Sequence, residues 1–129
     1  MTPSQVFIFT LIGVVLFFYV RRFLMMRSLR HYSPADLTER LESDRNFVLL
    51  DVRSNSERQH SHIKGSLHIP LNQLVNRSDE LRKHREKEIV CYCQSGNRSV
   101  TAASRLNKLG FKAANLKGGI AEWNFQNRI

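Results

Sequence analysis

At 129 residues, 42% hydrophobic and 24% charged, the chain has room for one compact domain and a short appendage, which excludes a two-domain enzyme. The net charge of +9 is unevenly placed: Arg21, Arg22, Arg27 and Arg30 lie within residues 1–33, which hold no acid, and the other 96 residues carry sixteen basic against eleven acidic side chains. A surplus of +5 over that length is a weakly basic surface and predicts no nucleic-acid partner, while two cysteines with one residue between them, Cys91 and Cys93, exclude a disulfide scaffold and fit a reducing compartment.

No charged side chain precedes Arg21, and residues 6–20 read VFIFTLIGVVLFFYV, interrupted only by Thr10, Gly13 and the amphipathic Tyr19. As a helix this run measures about 22 Å, short of the roughly 30 Å of a bilayer's hydrocarbon layer. Extension to Met26, with the Arg21 and Arg22 guanidinium groups snorkelling to the headgroups, brings it to about 31 Å, a short single span. A cleaved signal peptide needs positive charge before the run and a small-residue cleavage site after it, and neither is found there. Because the arginines follow the run, the positive-inside bias predicts an outside amino terminus and a cytoplasmic remainder, as in a bacterial inner membrane. Arg27 and Arg30 are placed to touch anionic lipid, at roughly 1 kcal/mol each.

Beyond this segment, strands and helices alternate. Ser33, Pro34 and Asp36 read as an N-cap, a first-turn proline and a first-turn acid, opening a helix with Leu37 and Leu41 on one face. Residues 47–52, FVLLDV, form an apolar run expected of a strand buried on both faces. Ser54 and Glu57 have capping-box spacing. Residues 66–69 predict a brief strand stopped by Pro70, Asn72 a cap for a helical turn bearing Leu74 and Val75, and residues 81–88 a solvated, highly charged face. Residues 89–92 and 113–116 predict two more strands. Between them Ala102, Ala103, Leu106 and Leu109 recur at helical spacing before Gly110, and Gly118–Gly119 form a tight turn into a terminal helix holding Ile120 and Trp123. This rhythm predicts an α/β fold, a parallel sheet flanked by helices on both faces and preceded by one transmembrane helix.

The chemistry concentrates after the strand at 89–92. Cys93 stands at its carboxyl end, followed by Gln94, Ser95, Gly96, Asn97 and Arg98 and then a helix, and in open parallel sheets that position is where ligands bind. Loop amides entering a helix N-terminus converge on the centre of the loop and favour negative charge there, Gly96 permits the tight curl, and Arg98 adds a full positive charge. The expected outcome is a thiolate nucleophile at Cys93. Cys91, inside the preceding strand, reads as a small core residue.

The segment Cys93-Gln94-Ser95-Gly96-Asn97-Arg98-Ser99 resembles the active-site loop of the rhodanese-like sulfurtransferases, Cys-x-x-Gly-x-Arg-Ser. Leu50-Asp51-Val52-Arg53 with Glu57, then His62-Ile63-Lys64-Gly65-Ser66 and Ile69-Pro70, and finally Leu116-Lys117-Gly118-Gly119 with Trp123, are similar to that family's other signatures in the same order. The resemblance covers about residues 33–123. Departures are Ser61 for glycine, Ser66 for alanine, and Arg58 where an aromatic often follows the acid. With the apolar segment read above, the expected organisation is a tail and transmembrane helix over 1–26, a basic juxtamembrane linker over 27–32 and, from the resemblance, a rhodanese-like domain over 33–129.

The resemblance implies transfer of sulfane sulfur from a donor such as thiosulfate, through a persulfide on Cys93, to a thiol or cyanide acceptor, without metal or organic cofactor. Gln94, Ser95, Gly96, Asn97, Arg98 and Ser99 would surround the substrate sulfur, and Asp51 and Arg53 would orient the loop or one another through an ion pair. Two other readings compete. One is a binding or regulatory module on the same fold; the other is a cysteine phosphatase or arsenate reductase, whose loops put five residues between cysteine and arginine where this chain has four. His60, His62 and His68 match no established metal spacing.

Overall fold

The computed structural model describes residues 1–43 and 46–127; Ile129, the expected domain end, lies outside them. Helix α1 runs over Pro3–Ser28. Its Pro3–Met25 portion is long and apolar enough to cross a membrane, and none of that apolar stretch is buried within the molecule. Helix α2 follows over Pro34–Ser43, with the Ser33 hydroxyl accepting from the Asp36 amide at 3.1 Å, as the cap residues predict.

Five strands, β1 (Arg30–Tyr32), β2 (Phe47–Asp51), β3 (Leu67–His68), β4 (Glu88–Tyr92) and β5 (Lys112–Leu116), form one sheet in the order β1-β5-β4-β2-β3, with every pairing parallel. The central pair alternates cleanly. Leu50, Val52, Ile89, Cys91 and Cys93 face a core shared with Val100, Ala103 and Leu106 of helix α4 (Asn97–Lys108). Phe47, Leu49, Val90 and Tyr92 face a second core with Leu37 of α2 and Ile120 of helix α5 (Gly119–Gln126). Burial on both faces is why these strands read as unbroken apolar runs.

Several local expectations are corrected. Where the sequence predicts a basic linker, the structure has strand β1: three residues, Arg30, His31 and Tyr32, pair with Ala114, Asn115 and Leu116, and only Tyr32 is buried. Asn72 does not cap; it sits inside a 3-10 turn, Leu71–Gln73, preceded by Pro70, and Val75 is exposed. The charged stretch is a second 3-10 segment, Ser78–His84, and Leu81 within it is wholly buried, while Glu88 belongs to β4. Helix α4 starts at Asn97, two residues before its expected beginning. Helix α3 (Asn55–His60) has the anticipated capping box between Ser54 and Glu57.

Candidate active site

Cys93 leaves β4 in a buried position, and the chain then curls through Gly96 at φ 107° into α4. The Gly96 amide lies 3.0 Å from Cys93 Sγ and the Ser99 hydroxyl 3.4 Å from it. Burial alone would push this thiol up. The Ser99 hydroxyl and the amides of Ser99, Gly96 and Ser95 outweigh burial and hold it below the ordinary thiol value. Cys91, one turn of the pleat earlier and fully buried, is pushed well above that value by burial and by the neighbouring Cys93.

The curl is held from outside by α5. Ile120 N–H donates to the Cys93 carbonyl at 2.9 Å and Ala121 N–H to the Gln94 carbonyl at 3.2 Å, so the loop's carbonyls turn toward α5 and its amides toward the sulfur. Gly119 allows the approach: at φ 63° a Cβ there would stand 2.4 Å from the Cys93 oxygen and 2.6 Å from the Gln94 oxygen.

A polar chain leads away behind Ser99. Its hydroxyl donates to Asn115 Oδ1 at 2.6 Å, and Asn115 Nδ2 lies 3.1 Å from Nδ1 of His31 on β1. The hydroxyl has one proton. With that proton on Asn115, Ser99 can only accept from a Cys93 thiol; to stabilise a thiolate it must turn the proton to sulfur. In the sequence Asn115 is marked only by its place in the last strand.

Asp51 and Arg53 form a buried pair: Arg53 Nη2 donates to Asp51 Oδ2 at 2.9 Å and Nε to Oδ1 at 3.0 Å. Arg53 also reaches the Ser61 carbonyl at 2.6 Å and Gln94 Oε1 at 3.3 Å, tying the loop to the pair. Burial would raise Asp51, but its bonds to Arg53, with Tyr92 adding another, lower it below the usual carboxylate range. Arg58 and Ser66 are bonded to one another here. Arg58 donates to the Ser66 hydroxyl at 3.0 Å and to the Ser66 carbonyl at 2.7 Å, and Ser66 in turn meets Tyr92 Oη at 2.9 Å.

Arg98 stands beside the loop, within electrostatic reach of Cys93, and is held there by a carboxylate. Both its terminal nitrogens donate to Glu57, each at 2.7 Å, and this bidentate bond, more than the Ser54 contacts, holds Glu57 down at about 2. Glu57 was read as a capping residue; it is also the counter-ion that fixes Arg98 beside the loop. Asn97 Oδ1 accepts from Arg22 of α1 at 3.3 Å. His68 Nε2 lies 2.8 Å from the Arg53 carbonyl, and among the described residues no three His, Cys, Asp or Glu side chains group as a metal site.

This geometry agrees with what the chain resembles among known proteins. The family model for the rhodanese-like domain matches residues 33–126. YtwF of Bacillus subtilis is 32% identical over 100 residues, 78% of this chain and 95% of that protein. A sulfurtransferase of Allochromatium vinosum is 34% identical over 88 residues, 67% of this chain and 80% of that protein. Among solved structures, a rhodanese-related protein of Thermoplasma volcanium is similar with a TM-score of 0.68 at 32% identity, covering 75% of this chain and 92% of that one. Other relatives are longer: the chain spans 45% of YrkF and 59% of YqhL, both of B. subtilis.

Proposed function

Because the chain belongs to the rhodanese-like domain family, whose sulfurtransferase relatives support sulfur transfer in general, we propose that it carries sulfane sulfur from a donor such as thiosulfate to a thiol or cyanide acceptor through a persulfide on Cys93. The observation that carries this reading is the Gly96 amide 3.0 Å from Cys93 Sγ, in a loop whose carbonyls are tied back to α5. The thiolate attacks the outer sulfur of thiosulfate, the S–S bond breaks, and sulfite leaves with the bonding pair. The new Cys93 persulfide places its negative charge at the terminal sulfur, above the same amides. An acceptor thiolate or cyanide then attacks that sulfur and Cys93 leaves as thiolate, so no oxidant or reductant enters.

In this reading Gln94, Ser95, Gly96, Asn97, Arg98 and Ser99 cradle the transferred sulfur, and Asp51 and Arg53 position Gln94 without touching it. Arg98, neutralised by Glu57, supplies direction more than net charge. Residues 1–26 serve as a tail and single membrane-spanning helix, and residues 27–32 lead directly into the domain, whose sheet already takes up Arg30–Tyr32 as β1 and whose core holds Leu29 and Tyr32; that domain lies on the cytoplasmic side. The test is thiosulfate-dependent release of sulfite by the purified full chain with a dithiol or with cyanide as acceptor. Release that requires both donor and acceptor supports sulfur transfer; hydrolysis of a phosphomonoester without sulfite release would instead support the phosphatase class, and neither activity the regulatory module.

A further inference from the structure

Seven of the described arginines pair with a carboxylate. Arg21, Arg22, Arg105 and Lys108 pair with none among the described residues, and all four line one crevice of about 350 Å³ between the end of α1 and the second half of α4. Their spacing explains the convergence. Phe18, Arg21, Arg22 and Met25 recur at three and four residues along α1, as Thr101, Ser104, Arg105 and Lys108 do along α4, so two helix ridges face each other across the gap. No carboxylate lines it. Four cations held around one small volume repel, and an anion between them relieves that repulsion.

The position selects the anion. The crevice opens at Arg21 and Arg22, near the carboxyl end of the exposed apolar surface of α1, whose last large members are Phe23 and Leu24; with both guanidinium groups snorkelling, that is the headgroup level if α1 spans a membrane. Phe18 offers an apolar wall on the bilayer side, and Thr101 and Ser104 add hydroxyl donors below. Arg30, expected from sequence to meet lipid, instead approaches Glu88 at 3.6 Å and lies over the Tyr32 ring.

We propose that this crevice binds the headgroup phosphate of an anionic phospholipid, with Arg21 and Arg22 on one wall and Arg105 and Lys108 on the other. The proposal rests on the membrane-anchor reading above. It gives α4 a second attachment to the bilayer besides the chain itself. Since Arg22 also donates to Asn97 at the start of α4, the lipid site adjoins the Cys93 loop and holds it at the membrane surface.

The test uses the full chain purified in neutral detergent, with native mass spectrometry after addition of phosphatidylglycerol or phosphatidylcholine. Retention of phosphatidylglycerol over phosphatidylcholine is expected. At about one headgroup interaction lost per removed cation, the pair Arg105→Gln with Lys108→Gln should weaken phosphatidylglycerol retention about thirtyfold. The exposed pair Lys64→Gln with Lys83→Gln should change it by less than about threefold, and charge-preserving Arg105→Lys should keep most of it. Equal retention by the crevice variant, or equal loss in the control pair, overturns the site. Displacement by inorganic phosphate at the same concentration as lipid would reassign it to a free anion. Extraction of membranes with alkaline carbonate separates the two readings: release of the chain defeats the anchor, whereas an integral chain with unchanged retention defeats the lipid site alone.

Discussion

Replacing Gly119 by alanine addresses the device that aims the loop amides at the sulfur. Gly119 sits at φ 63°, a left-handed conformation that costs an L side chain roughly 1–2 kcal/mol. Its new Cβ would also stand 2.4 Å from the Cys93 oxygen, so α5 must move away, straining the packing by about 1–3 kcal/mol and stretching the Ile120 and Ala121 amide bonds. The expected loss is about 2–5 kcal/mol in total. Gly65 provides the control: its φ is 83° but its Cβ would meet open space, so Gly65→Ala should lose only the conformational part, about 1–2 kcal/mol. Urea unfolding of the full chain in detergent, followed by the emission of the single tryptophan, Trp123, compares the two. A second readout is the rate of Cys93 alkylation against pH. In Gly119→Ala the profile should move to higher pH, because the freed carbonyls no longer leave the amides facing sulfur; in Gly65→Ala it should not move. Equal stability of the two variants would refute the steric argument, and an unmoved alkylation profile in Gly119→Ala would refute the link between α5 and the thiol.

Four further outcomes are expected. Glu57 ionises at about 2 in the folded chain against about 4.5 as an ordinary side chain, and Asp51 is also lowered, so their contribution to stability is complete above about pH 4.5 and lost as pH falls toward 2; the melting temperature should drop through that window, and less steeply in Glu57→Gln. A double-mutant cycle between Glu57→Gln and Arg98→Ala should give about 1 kcal/mol of coupling, since both side chains keep contact with solvent, and a value near zero would remove Glu57 as the anchor of Arg98. Asn115→Asp should hold the Ser99 proton and place a negative charge behind it, shifting Cys93 alkylation to higher pH, while an unshifted profile would show that the Ser99 proton does not serve the sulfur. For orientation, Lys83→Cys should resist a membrane-impermeant maleimide in intact cells and react after permeabilisation; labelling before permeabilisation reverses the topology.

The parts of this molecule that were readable from sequence are those written in local backbone chemistry. A doubly buried strand reads as an apolar run, so β2, β4 and β5 were legible, and Ser33 and Ser54 announced the helices they cap. The Cys93 loop was legible as a place because glycine and a helix start mark a strand's carboxyl end. What escaped depends on contacts between distant residues. Strand β1 has a single buried residue and takes its identity from pairing with β5, so nothing in Arg30-His31-Tyr32 distinguishes it from a linker. Leu81 lies among charges, and only the sheet above it makes it core. Glu57 and Arg98 are 41 residues apart, as are Arg53 and Gln94, and no local pattern reveals such pairings. Arg58 and Ser66, each a departure by itself, make sense only once they are seen bonded to each other.

Sulfur transfer by this chain depends first on which cysteine accepts the sulfur. After reduction and brief exposure to thiosulfate, intact-mass analysis of the full chain should show the addition of one sulfur atom, with peptide mapping placing it on Cys93. Cys91→Ser should gain it equally, because its buried thiol contributes nothing, and Cys93→Ser should gain none. Sulfur on the Cys93→Ser chain, or an unmodified wild-type chain under the same conditions, would contradict the account.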